Sequence, residues 1–136
     1  MKYIKRFNEK SSEDILLELK DILIELEDEG YYINIKRPDV IKKKESDDWI
    51  LIKIESHRLA SLGSDSTNKK RFYINDMFKY SLEHLDNYIK GLGYDIKYTA
   101  YSPIDESGCV GYSYNFLSGL LKREEPLISL IISCTM

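Results

Sequence analysis

One unit occurs twice in this chain, and the doubling restricts its fold more than any other feature. Each copy is an amphipathic helix, a Gly-Tyr corner and an alternating strand, over residues 15–35 and again over 78–98. Laid over each other without gaps, Ile15, Leu19, Ile22 and Leu26 fall on Phe78, Leu82, Leu85 and Ile89. Gly30-Tyr31 falls on Gly93-Tyr94, and Ile33 on Ile96. A second apolar run follows each copy, residues 49–54 and 127–132. Apolar spacing of three and four gives an amphipathic helix, and spacing of two gives a half-buried strand. The doubled pattern therefore predicts an α+β, two-layer αββαββ pseudo-duplicate: a four-stranded, mainly antiparallel sheet with two helices on one face.

The first half reads as follows. Ser11 is suited to cap a helix over residues 12–29, which stops at Gly30 because glycine accepts the left-handed conformation beyond a helix end. At about 100° per residue, Ile15, Leu16, Leu19, Ile22, Leu23 and Leu26 share a face. Leu17 and Ile24 lie on the opposite side among charged residues. They are stray exposed apolar groups, a seat for Phe7 of the leader, or a seat for a partner chain. Residues 31–36 form a strand ending before Pro38, and 49–55 a strand apolar on both sides, hence central. The polar loop between them carries Lys42, Lys43 and Lys44.

Residues 57–71 are rich in Ser, Gly, Asp and Asn and connect the halves, with Lys69, Lys70 and Arg71 at the end. Asn75 or Asp76 caps the second helix, which ends near Gly91 or Gly93. Residues 94–101 form a third strand, closed by Pro103. An insert over 102–125 follows, with a loop at 105–111 and a short helix at 114–122 containing Tyr114, Phe116, Leu117, Leu120 and Leu121. So long a connection inside a compact domain is a common seat of function. Residues 127–134 form the fourth strand. The organisation is one domain over 1–136: a leader at 1–10, the first αββ unit at 11–56, the connecting loop at 57–71 and the second unit at 72–136.

Composition narrows the function classes. A hydrophobic fraction of 43% with 32% charged residues is that of an ordinary globular chain. The net charge of −3 gives no basic-domain argument for nucleic acid. The two cysteines, Cys109 and Cys134, form no CxxC pair and no disulfide framework. No apolar run reaches the ~18–20 residues of a membrane helix, and the N-terminus lacks the apolar core of a signal peptide.

The leader, Met1-Lys2-Tyr3-Ile4-Lys5-Arg6-Phe7-Asn8-Glu9, resembles the opening of many small uncharacterised tailed-bacteriophage proteins, which begin Met-Lys-x-Ile/Leu-Lys-x-Phe-x-Glu. The resemblance covers nine of the 136 residues and implies a viral origin, with the host cytoplasm or the virion as the location. It brings no catalytic residue and no fold.

Chemistry-bearing residues are sparse. Cys109 lies between Gly108 and Gly111, and a thiol nucleophile would need His57 or His84 as its base; no family signature surrounds it, and His84 falls on the polar side of a helix. Cys134 alternates within an apolar strand as a buried residue does. No two soft ligands stand at zinc spacing, and Glu25, Glu27, Asp28 and Glu29 lack the rhythm of a calcium loop. The sequence thus predicts a non-enzymatic protein–protein interaction protein without metal or cofactor. Its contact residues would be Phe7, Leu17, Ile24, Trp49, Tyr114 and Leu117, with a protein partner or a second copy. The alternative is a nucleic-acid or nucleotide-binding module that holds phosphate on Lys42, Lys43, Lys44, Lys69, Lys70 and Arg71.

Overall fold

Gly30 and Gly93 end the helical segments of the two halves in the same way. Both take positive φ, +100° and +96°. Each donates its N–H to a carbonyl three residues back, Gly30 to Glu27 and Gly93 to Lys90, both at 3.0 Å. The computed structural model describes residues 12–37, 49–56, 71–105 and 108–135. Those residues form α1 (Ser12–Ile22), α2 (Ile24–Asp28), β1 (Tyr31–Lys36), β2 (Trp49–Ser56), α3 (Asp76–Gly91), β3 (Asp95–Asp105), β4 (Gly108–Tyr114), α4 (Leu117–Leu121) and β5 (Ser129–Thr135). The protein is therefore α+β, and all strand pairings are antiparallel in a five-stranded sheet ordered β1-β2-β5-β3-β4.

The sheet has one strand more than the doubled pattern predicts, and there are four described helices rather than two. The extra strand is β4, formed where a loop is expected at 105–111. Val110, Tyr112 and Tyr114 alternate there, opposite Ser102, Ala100 and Tyr98 of β3. The helix expected over 114–122 shortens to α4, because Tyr114 is the last residue of β4. Pro103 does not close β3. Beyond Tyr101, the last β3 residue paired with β5, β3 pairs among the described residues with β4 alone, an edge-like setting that tolerates a missing N–H. A register shift between Pro103 and Asp105 accompanies it. The single helix expected over 12–29 is interrupted at Leu23 (φ −96°, ψ 6°), where the Leu26 N–H reaches back three residues to the Leu23 carbonyl at 3.1 Å. Leu23 is fully buried, so the apolar stripe continues through the break. Ser11 lies outside the described residues; Asn75 does cap α3, its Oδ1 accepting from the Phe78 N–H at 2.9 Å.

The register shows how the halves meet. Ile35 pairs with Ile52, and Tyr98 with Ile132. Ile35 and Tyr98 are aligned positions of the repeat, and Ile52 lies directly opposite Ile132. One face of the sheet carries Ile50, Ile52, Ile54, Leu130, Ile132, Cys134, Tyr98 and Ala100, all at most 1% exposed. Leu19, Leu23, Leu26, Leu82, Leu85 and Ile89 of the helices belong to the same buried cluster. Phe72 joins it by pairing with Leu127 through two 2.8 Å backbone bonds. Its ring stacks on Phe78 at 5.6 Å, and Tyr31 stands edge-on to both at 5.2 Å.

The two halves differ inside the core. Where the first has Leu23 and Ile35, the second has Asp86 and Tyr98. The Tyr98 hydroxyl donates to Asp86 Oδ1 at 2.7 Å, and Lys90 Nζ lies 3.1 Å from Asp86 Oδ2. Burial, followed by the Asp86 hydrogen bond, raises the phenol of Tyr98 well above its usual range. Burial, with Asp86 nearby, pushes the Cys134 thiol up to about 12.

Candidate functional site

The insert between β3 and β5 builds a surface site at the C-terminal end of α3. There the Gly93-Tyr94 corner turns the chain from helix into β3, while Asn115 and Phe116 cross from β4 into α4. Between them lies an open cavity of about 540 Å³, with Ile96 and the Phe116 ring as apolar walls and Lys90, Asp95 and Asn115 as polar ones. Phe116 is 70% exposed. It precedes α4 in an extended conformation (φ −127°, ψ 138°), and its carbonyl accepts from the Gly119 N–H at 3.1 Å.

Side-chain hydrogen bonds brace the elements around the cavity. Arg123, with a side chain only 7% exposed, ties the segment after α4 to the hairpin. It donates through Nη1 to the Tyr114 hydroxyl at 3.0 Å and through Nη2 to Ser102 Oγ and, at 3.1 Å, to Glu125 Oε2. Its guanidinium stands 4.7 Å from the centroid of the Tyr112 ring, a cation–π distance. Ser102 passes the tether on, donating to the Pro126 carbonyl at 2.9 Å. On the other side, Arg37 Nη2 donates to the Tyr94 hydroxyl at 3.1 Å. Tyr88 of α3 donates to Glu18 Oε2 of α1; burial, then Glu18, raises its phenol far above the ordinary value. Arg123 thus links the chain after α4 to Tyr114, two residues before Phe116.

The residues named from sequence distribute unevenly. Leu17 and Ile24 are 65% and 47% exposed on α1 and α2. Tyr80, which aligns with Leu17 in the repeat, is exposed as well. Trp49 is exposed at the start of β2. Leu117, expected at the surface as a contact residue, is 9% exposed and belongs to the core, because α4 turns Leu117 and Leu120 inward. Tyr114 is half-buried and its hydroxyl accepts from Arg123. Phe7, Lys42, Lys43, Lys44, Lys69 and Lys70 lie outside the described residues, and Arg71 is exposed. His57 is also outside them. Cys109 is exposed on β4, where a loop was expected, and His84 is exposed on α3 with its ring 6.5 Å from that of Tyr80. Among the described residues, no three His, Cys, Asp or Glu side chains gather as a metal set, and no helix is long and apolar enough to cross a membrane.

The sheet face opposite the helices is mixed. Its rows, read from the pairings, run Tyr32, Glu55, Ser129, Tyr101, Gly111; then Asn34, Lys53, Ile131, Thr99, Ser113; then Lys36, Leu51, Ser133, Lys97. The Tyr101 ring covers Gly111 so closely that a Cβ there would sit 3.0 Å from it.

Fold and site together define a class: a small α+β protein with an antiparallel five-stranded sheet and an aromatic-lipped surface cavity. Comparison with protein-family models, with curated proteins and with solved structures gives no significant match.

Proposed function

We propose that this is a non-enzymatic protein–protein interaction protein, phage-encoded, acting as a virion component or a binder of a host factor, in the host cytoplasm or the virion. Its basis is a doubled αββ unit, one domain in which the second copy has acquired the β4–α4 insert. The observation that carries the reading is Phe116, 70% exposed at the lip of a cavity of about 540 Å³ and two residues from Tyr114, whose hydroxyl accepts from Arg123. An exposed aromatic beside an open slot suits the anchor-and-pocket contacts that dominate protein interfaces. The occupant would be an apolar side chain of the partner, with Asp95 and Asn115 at the polar rim. A photo-crosslinking residue at position 116 and a Phe116→Ser variant test this. The crosslinker should trap one discrete partner from infected-cell lysate, and Phe116→Ser should lose that partner while its circular dichroism and melting temperature stay unchanged. Equal capture by Phe116→Ser refutes the reading.

A second reading, nucleic-acid binding, draws support from the outer sheet face, where Lys53 stands in the row next to Tyr32 and Tyr101, and Lys36 and Lys97 in the row beyond. Aromatic stacking with phosphate neutralisation would be its physics. Its mark is a salt-dependent gel shift abolished by Lys53→Glu with Lys97→Glu; a shift abolished only by changing Lys42, Lys43 and Lys44 would assign it to the loop instead.

A further inference from the structure

We infer that a second copy of this chain docks along the outer edge of β1, antiparallel and about a twofold axis, joining two five-stranded sheets into one of ten. The inference is independent of the Phe116 cavity, which lies with β3, β4 and α3.

Three observations carry it. The first is the edge itself. β1 ends the sheet order, and among the described residues no strand pairs with its outer side. An edge strand presents alternate N–H and C=O groups ready for pairing, and proteins commonly blunt such edges with proline, a bulge or lysines. β1 has neither proline nor glycine, its register with β2 is unbroken, and its one charge is Lys36 at the very end.

The second is incomplete burial. Tyr31, Ile33 and Ile35 face the helix side and are half-buried, whereas Ile52 and Ile54 opposite the two isoleucines are fully buried. The apolar layer thins at this edge, and a neighbour there would complete it.

The third is charge. The residues just before β1, Glu25, Glu27, Asp28 and Glu29, are acidic and exposed, and Lys36, also exposed, closes its other end. An antiparallel twofold pairing brings each acidic end onto the basic end of the other copy, so the strand complements itself. The register then follows. With Ile33 opposite its own copy, Ile35 meets Tyr31, Asn34 meets Tyr32, and Lys36 comes level with the Gly30 corner, toward the acidic end of the other copy's α2. Centring on Tyr32 would carry Ile35 past the start of β1, where the other copy has no strand residue to pair with it. Centring on Asn34 would set Lys36 against Tyr32 and leave the acids unmatched. The Ile33-centred register keeps Tyr31, Ile33 and Ile35 on apolar partners and leaves Lys36 level with the Gly30 corner, next to the other copy's acidic helix end.

Six paired residues bury less than the ~1,200 Å² of a standard stable interface. The dimer should therefore be concentration-dependent and salt-sensitive. Light scattering and sedimentation on the full chain, from dilute to concentrated solution, should show the mass moving from 16.0 kDa toward twice that value. Lys36→Glu should raise the dissociation constant at least about tenfold by setting like charges together. A chain carrying Asp28→Lys with Glu29→Lys should be equally impaired, yet an equimolar mixture of the two variants should recover the dimer mass. A one-chain mass at every concentration overturns the inference, as does a dimer indifferent to both charge reversals. Phe116→Ser should leave the dimer intact, so failure here and failure of the cavity reading are told apart.

Discussion

Removing one oxygen from the core of the second half should destabilise the protein more than its size suggests. Tyr98→Phe deletes the hydroxyl that donates to Asp86 Oδ1 at 2.7 Å, in a site where Tyr98 is 1% and Asp86 8% exposed. A hydrogen bond to a charged group contributes about 1.5–3 kcal/mol, and the carboxylate left behind is buried with Lys90 as its ion-pair partner among the described residues. Lys90 is half-exposed, so its ion pair is screened and offsets little of the loss. The expected cost is about 2 kcal/mol, or roughly 6–10 °C in melting temperature for a chain of this size. The first half shows the remedy, because it has Leu23 at the position of Asp86. Asp86→Leu alone strands the Tyr98 hydroxyl and should cost a similar ~1–3 kcal/mol. The double variant removes both partners and should recover at least half of the summed loss. Urea unfolding of the four proteins, followed by circular dichroism, closes the double-mutant cycle. A coupling energy indistinguishable from zero would refute the argument that Tyr98 and Asp86 act as one buried unit.

Two further outcomes test the packing. Tyr31, Tyr88 and Tyr98 all have phenols raised by burial first, reinforced by Glu29, Glu18 and Asp86 respectively. A folded value above the unfolded one means stability is fully present below about pH 10 and lost as pH climbs beyond it. Alkaline titration followed by far-UV circular dichroism should therefore show unfolding set off above pH 10, shifted by Tyr98→Phe; tyrosines that ionise in an unaltered fold would contradict it. Gly30→Ala and Gly93→Ala should each cost about 1–2 kcal/mol, since both positions hold φ near +100°. Near-equal costs in thermal melts are expected from the shared corner; a neutral change at either would contradict the strained-turn account.

The site was half legible in the sequence. The long connection over 102–125 was recognisable as the departure of the second unit from the first, and function is proposed there. Its contents were less readable. Val110, Tyr112 and Tyr114 carry the alternation of a strand, but Gly108 and Gly111 beside Cys109 read as a loop, and only pairing with β3 makes them β4. Phe116 and Leu117 are adjacent and both large. Which of them points into the core depends on where α4 begins against β3 and β4, and that is set by contacts distant in the chain. Nothing local in the sequence marks Arg123; its burial follows from Ser102, Tyr114 and Tyr112 converging on it from the hairpin.

The amino-acid order by itself determined the local grammar of the molecule. Helical spacing, a cap at Asn75 or Asp76, the two Gly-Tyr corners and the apolar runs are short-range properties, set by backbone sterics and by which side of a helix or strand is apolar. Tertiary structure alone decided what those pieces face: that Ile52 meets Ile132, that a fifth strand covers the far side of β3, that Leu117 goes in and Phe116 stays out. Such outcomes depend on which distant surfaces come together to exclude water, and burial energy belongs to the pair of surfaces rather than to either segment.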